Sequence, residues 1–260
     1  MYLIIDNIII FVLGTVIGSF LNVCICRLPE EQSVVTPPSR CMACGHRLGF
    51  LDLFPVLSFL FLRGKCRYCG TKVSWQYPLV ELVTGLLYLL VWYKFGLTWM
   101  TLAGLVFVSV LITISVIDIY HQIIPDAALA VGAVAGIPLM YLQGWDVLKD
   151  GLIAGGGGLL FMLAVAIIGG LIAGQEAMGM GDVKLTAFMG LYLGVKGLVI
   201  GMFTGFMAGG VIGVILMVTG LKGRKDAIPF GPYLALGGLI AFFWGADIWN
   251  WYTSYWKTGM

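Results

Sequence analysis

Long apolar runs separated by short polar gaps make up most of the chain, with one extended polar stretch over residues 27–77. A membrane-spanning helix needs roughly 17–25 largely apolar residues. The candidate runs are residues 8–25, 79–92, 100–117, 127–141, 152–173, 185–193, 198–221 and 233–249. The second and fourth reach full length by borrowing flanking residues. The sixth is short, which leaves the count at seven or eight. Only helices satisfy their own backbone hydrogen bonds in lipid without closing a barrel. The expected fold class is therefore an all-α polytopic membrane protein of about eight transmembrane helices. Three parts are expected: a first transmembrane helix over 1–26, a loop over 27–77 and a transmembrane domain over 78–260.

Composition sharpens this picture. The chain is 60% hydrophobic and 11% charged, with a mean hydropathy of +0.99, whereas soluble domains carry about 25% charged residues. A net charge of +2 is too small to argue for nucleic acid. No signal-peptide pattern of basic region, short apolar run and small-residue cleavage site is present, so the first apolar run reads as a retained anchor. With the 27–77 loop in the cytosol, eleven Lys and Arg lie inside, among them Lys184, Lys222, Arg224 and Lys225. Lys94, Lys149, Lys196 and Lys257 lie outside. The positive-inside rule favours that orientation, and eight spans put both termini outside. The cluster Trp249, Trp251, Tyr252, Tyr255 and Trp256 suits a headgroup belt.

The loop carries two CxxC pairs, Cys41/Cys44 and Cys66/Cys69, close to the four-cysteine zinc spacing. Zinc takes four thiolates tetrahedrally, and each CxxC turn supplies two. Gly45 and Gly70 permit the tight turns that follow. Disulfides conflict with a reducing cytosol. The expectation is a closed, structural zinc site that holds together a module too small to bury a core of its own. Cys24 and Cys26 read as apolar fillers at the end of the first span, and His46 as a solvent-facing loop residue.

Acids at membrane depth are costly and are functional candidates. Asp118 ends the third run, and Asp182 opens the sixth within Gly179-Met-Gly181-Asp182. Both fall on the cytosolic side of this topology. Two carboxylates sharing a site cannot both ionise cheaply, so one keeps its proton. The ionised one can take a proton from water while its partner protonates a scissile carbonyl oxygen or leaving amine. Gly179 and Gly181 let backbone approach a bound substrate. Asp126, after Pro125, reads as an N-cap of the fourth run. Glu176 reads as a solvated acid, and His121 as a helix-end residue for which a hydrogen bond in the site is the minor alternative. Glu81 stands inside the second run without an obvious partner.

These residues together give the chain its resemblance to type 4 prepilin peptidases, the bifunctional leader peptidase/N-methyltransferases of the GxGD aspartyl protease class. The segments Gly14 to Val23, Cys41 to Cys69, Tyr77 to Glu81, Asp118 to Asp126, Gly179 to Asp182 and Ile228 to Pro232 carry it. The resemblance implies that 78–260 is the peptidase domain with Asp118 and Asp182 as its catalytic dyad. It implies zinc on Cys41, Cys44, Cys66 and Cys69, and a methyltransferase region over 27–77. It also implies removal of the basic leader from type IV prepilins or pseudopilins of pilus, type II secretion or competence systems. S-adenosylmethionine-dependent methylation of the new amine would follow, in a bacterial inner membrane. Gln76 departs from the pattern, where arginine is expected, and bears on methylation. No Gly-rich nucleotide fingerprint follows a strand, so the methyl-donor site is unplaced.

Gly201, Gly205, Gly209 and Gly213, spaced four apart, and Gly155 to Gly158 read as close-packing faces. The alternative function is a proton-coupled transporter with Asp118 and Asp182 as a relay. It expects acids near the bilayer midplane and internal repeats, and the sequence shows neither.

Overall fold

A computed structural model describes residues 2–173, 178–221, 223 and 228–258. Glu176, Lys222, Arg224, Lys225 and the side chains of Trp256 and Lys257 lie outside the described residues. Among the described residues the chain is helical without a strand, and seven helices are long and apolar enough to cross a membrane. Packing divides it into two compact units, Met1–Leu97 and Thr98–Met260.

The first unit pairs α1 (Tyr2–Arg27) with α3 (Gln76–Phe95), and the polar loop between them holds a short helix, α2 (Leu57–Phe61). Glycine sets the helix spacing. A Cβ on Gly14 would fall 2.7 Å from the Gly85 Cα, and one on Gly18 would fall 2.7 Å from the Glu81 Cα. The pairings 14 with 85 and 18 with 81 run in opposite senses, so the helices are antiparallel. The first-span glycines therefore serve close backbone contact, as small residues do between membrane helices.

The second unit contains α4 (Trp99–His121), α5 (Asp126–Gln143), α6 (Trp145–Ala173), α7 (Met180–Val218) and α8 (Gly231–Thr258). Thr98 caps α4, its side chain accepting from the Thr101 amide. Phe107 of α4 forms the aromatic centre, with ring centroids 5.7 Å from Phe188, 5.0 Å from Tyr192 and 5.3 Å from Phe242. The Tyr192 hydroxyl donates to the Gly132 carbonyl at 2.6 Å, tying α7 to α5.

The sixth and seventh apolar runs belong to one 39-residue stretch, α7, which breaks at Gly194 (φ 66, ψ −179). As a straight rod it would be about 58 Å long, far beyond one crossing. It folds back instead. Thr186 and Leu198, twelve positions apart, both meet the position a Cβ on Gly158 would occupy, and the Met189 Cε meets that of Gly201. The Asp150 carboxylate accepts from the Val195 amide at 3.3 Å and caps the returning limb. Glycines then set the packing on both sides. Gly151, Gly155 and Gly158 of α6 abut the first limb, and Gly201, Gly205 and Gly209 let the second limb meet α8. Near the turn, Lys196 lies 5.8 Å from the centroid of the Trp249 ring. Trp251, Tyr252 and Tyr255 are exposed, as a headgroup belt requires.

Candidate catalytic and metal sites

At the end of the second unit opposite Gly194, four chain segments meet. Asp118 lies in the last turn of α4 and is 5% exposed. Its Oδ2 accepts a 2.8 Å hydrogen bond from the Gly231 amide, the first residue of α8. Amides at a helix start have no partner within the helix, and the helix dipole places positive charge there. A Cβ on Gly231 would fall 2.8 Å from that same Oδ2, so only glycine admits the approach. The turn before it is held by the Phe230 ring, stacked 5.5 Å from Phe206.

Asp182 is the third residue of α7 and so stands at a second helix N-terminus. Its amide donates to the Gly179 carbonyl at 3.1 Å. The Asp118 and Asp182 carboxylates are near enough to act on one another electrostatically. Gly181 lets α7 press on the segment after α4, because a Cβ there would stand 2.8 Å from the Ile124 Cβ. Gly179 carries no such constraint: among the described residues a Cβ would meet only the Asp182 carboxylate, at 3.8 Å.

Asp126 is not the expected cap. Pro125 occupies the N-cap position and Asp126 is the first residue of α5, with no side-chain capping bond. Its carboxylate instead accepts from the Lys184 Nζ at 2.8 and 2.7 Å, clasping the starts of α5 and α7. His121 is exposed at the end of α4.

In the first unit the four sulfurs of Cys41, Cys44, Cys66 and Cys69 lie within 4.8 Å of one another. Each CxxC forms the same tight turn. Gly45 N–H donates to the Cys41 carbonyl and Gly70 N–H to that of Cys66, both at 2.9 Å. Both glycines take the left-handed conformation, with φ +70 and +73. Single bridges, Arg40 with Arg47 and Lys65 with Lys72, close the two turns. Asp52 ties the turns together, accepting from Gly49 N–H, Arg67 Nε and the Tyr68 hydroxyl at 3.0, 2.7 and 3.1 Å. His46 stacks on Tyr68 with centroids 3.6 Å apart, which accounts for it without a ligand role.

The thiols are electrostatically uneven. A hydrogen bond with the Thr71 hydroxyl, and another with its amide, bring Cys69 down to about 6. The His46 amide favours a thiolate at Cys44, but desolvation and the adjoining Cys41 and Cys69 push it up to about 11. Sulfur donors in this arrangement fit a thiophilic cation, which removes the repulsion among thiolates. Cys24 and Cys26 stand apart, the Cys26 sulfur lying 3.7 Å from the Tyr77 hydroxyl.

Glu81, partnerless in the sequence, has partners in the structure. It is 7% exposed, and its Oε2 accepts from the Val56 amide at 2.7 Å. The Ser19 side chain of α1 lies beside it. Sequence reasoning missed this contact, the Lys184 pairing and the Gly231 amide. The only sequence traces of them are a glycine at 231 and the buried acid itself.

Two family descriptions match the chain: "Bacterial Peptidase A24 N-terminal domain" over residues 12–95 and "Type IV leader peptidase family" over residues 105–214. Among its relatives is the prepilin leader peptidase/N-methyltransferase of Myxococcus xanthus (strain DK1622), 41% identical over 217 residues. That match takes in 83% of this chain and 65% of the relative. The protein of the same name from Bacillus subtilis (strain 168) is 34% identical, covering 94% of this chain and 96% of the relative. That of Pseudomonas putida is 35% identical, covering 91% and 90%. No solved structure matches the chain. The chain belongs to the type IV leader peptidase family.

Proposed function

We propose that this protein is a multi-pass membrane aspartyl endopeptidase acting on type IV prepilins or pseudopilins, with Asp118 and Asp182 as the reacting pair. What supports the reading is the placement of both acids at the same end of the second unit, within electrostatic reach of one another, with the Gly231 amide on Asp118. In hydrolysis, one ionised carboxylate takes a proton from water as its oxygen attacks the scissile carbonyl carbon. The protonated partner gives its proton to the carbonyl oxygen. Collapse of the tetrahedral adduct breaks the C–N bond, and the departing amine takes up a proton. Gly179 leaves room for a substrate backbone beside Asp182, whereas Gly181 serves the packing of α7 on Ile124.

The relatives' name extends the reading to N-methylation of the new terminus, for which S-adenosylmethionine supplies the methyl group. No residues are assigned to its binding. Cys41, Cys44, Cys66 and Cys69 hold zinc in a closed site, where it organises the 27–77 loop. Basic residues of this loop, and Lys184 at the dyad end of the second unit, support a cytosolic position for both at the inner membrane. No observation favours the transporter alternative: Asp118 and Asp182 stand at helix ends, away from mid-span.

The test compares wild type with Asp118→Asn and Asp182→Asn in membranes containing a prepilin-like substrate. Leader removal is read by mass, and the added methyl is scored separately. Wild type should cut and both variants, inserted normally, should fail. Cleavage by either variant at the wild-type rate would remove the dyad assignment.

A further inference from the structure

The apolar middle of the cysteine loop has no role in the chemistry above, and its surface is unusual for a polar loop. Between residues 50 and 62 the only polar side chains are Asp52 and Ser58. Phe50 is 80% exposed, Leu60 58% and Phe61 83%, while Phe54 and Leu57 are half-exposed. So much apolar surface facing water marks an interaction site.

Its depth identifies the partner. Helix α3 has 20 residues, so it is about 30 Å long, the thickness of the hydrocarbon core. Gln76 therefore marks the edge of the core, and Glu81 lies about 7.5 Å inside it. The Val56 amide is bonded to the Glu81 carboxylate at 2.7 Å, and helix side chains lean toward the N-terminus, so the loop is held at the boundary, just above that depth. The amides of Asp52, Leu53, Ser58, Leu60 and Leu62 donate to the carbonyls of Gly49, Phe54, Val56 and Ser58. Lipid-exposed irregular backbone does not enter the hydrocarbon core, so the apolar side chains enter the boundary while the backbone stays at headgroup level. The lipid-facing surface continues onto α3, where Leu79 and Leu86 are exposed. Arg63 and Lys65, directly after the segment, suit anionic headgroups.

We infer that the apolar face of residues 50–62 is an interfacial element of the first unit, lying on the lipid boundary and pinned there by Glu81, and that its partner is the bilayer itself. Glu81 is thus a positioning residue for the loop. The inference does not depend on the peptidase reading, because its readout is lipid contact and not cleavage.

The test places the photoreactive residue benzoylphenylalanine singly at position 54, 61 or 42 of the full chain. The protein is reconstituted in vesicles of phosphatidylethanolamine and phosphatidylglycerol, irradiated, and weighed intact. Met42, 89% exposed in a CxxC turn, is the water-facing reference. Phospholipid adducts should form at 54 and 61 several-fold more than at 42. Adding Glu81→Leu should lower the yield at 54, while Glu81→Gln, which keeps an acceptor oxygen, should largely retain it. Adduct yields at 54 and 61 no higher than at 42 would overturn the inference. So would crosslinks at 54 and 61 only to a second copy of the chain or to added prepilin, since these would make the face a protein-docking surface.

Discussion

Replacing Gly231 with alanine tests the dyad geometry without touching either carboxylate. The added Cβ would stand 2.8 Å from Asp118 Oδ2 and 3.2 Å from its Cγ. The carboxylate must then retreat by about 0.5 Å to regain ordinary contact, or α8 must shift. Either move stretches the 2.8 Å bond from the Gly231 amide. A hydrogen bond to a charged group contributes about 1.5–3 kcal/mol, and catalytic groups tolerate roughly 0.5 Å of misplacement. Loss of about 1.4–2.7 kcal/mol of positioning corresponds to a fall of roughly 10- to 100-fold in kcat, with KM little changed because substrate-binding surface is untouched. The assay is the single-turnover rate of leader removal in reconstituted membranes, with Gly156→Ala as the control. Among the described residues, nothing lies within 4 Å of a Cβ at Gly156. Methylation of a substrate already lacking its leader should proceed normally in the Gly231→Ala protein. A wild-type cleavage rate for Gly231→Ala would refute the argument that this amide positions Asp118.

Three further outcomes follow. Cys66→Ser should lower bound zinc from about one ion per chain and expose the 40–72 loop to protease, read by metal analysis and limited digestion; full metal retention would dismiss the four-sulfur site. Lys184→Met should cost little, about 1 kcal/mol or less of stability, because the Lys184 and Asp126 side chains are 45% and 69% exposed; a thermal-shift change well beyond that would mean the clasp is screened from water. Asp52 resists the upward push of desolvation, because the Gly49 amide, Arg67 and Tyr68 hold it below the ordinary carboxylate range. A depressed folded-state value means that its contribution is present above the unfolded value, near pH 4, and is lost as pH falls through the folded one. The difference in amide-exchange protection between wild type and Asp52→Asn over residues 49–68 should therefore be clear at pH 7 and shrink below about pH 4.

Spans were legible because a bilayer demands long apolar runs, and those cannot be hidden in a sequence. Even the Gly194 turn falls in the gap, residues 194–197, that separated the sixth and seventh runs. The four cysteines were legible because metal turns have fixed spacing. Contacts between a side chain and a distant backbone were not. Gly231 and Asp118 are 113 positions apart, and Val56 and Glu81 are 25 apart. An amide donor exists at every non-proline residue, so nothing in the sequence marks which one a buried acid will find. Asp126 misled for a related reason. The local pattern of proline, acid and apolar run suits a cap, but Lys184, brought close by the packing of α7 on α5, offers a charged partner that local patterning does not register.

The placement of the two acids explains how a membrane protein tolerates them. Two adjacent carboxylates at a bilayer boundary pay for desolvation and for mutual repulsion. Asp118 sits against the first amide of α8, and Asp182 lies within the first turn of α7, so each meets the positive end of a different helix. A helix N-terminus carries about half a positive charge, so two of them offset much of the pair's repulsion without neutralising either acid. A lysine would remove the repulsion more completely, but it would hold a carboxylate in an ion pair and oppose the protonated partner that the proposed chemistry needs. Lys184, a basic residue near this point among the described residues, is instead turned to Asp126. The glycines complete the arrangement: Gly231 admits Asp118 to the α8 terminus, and Gly181 lets α7 pack onto Ile124. On this view the GxGD segment and the glycine before the last helix do the same job, bringing a helix N-terminus to an acid.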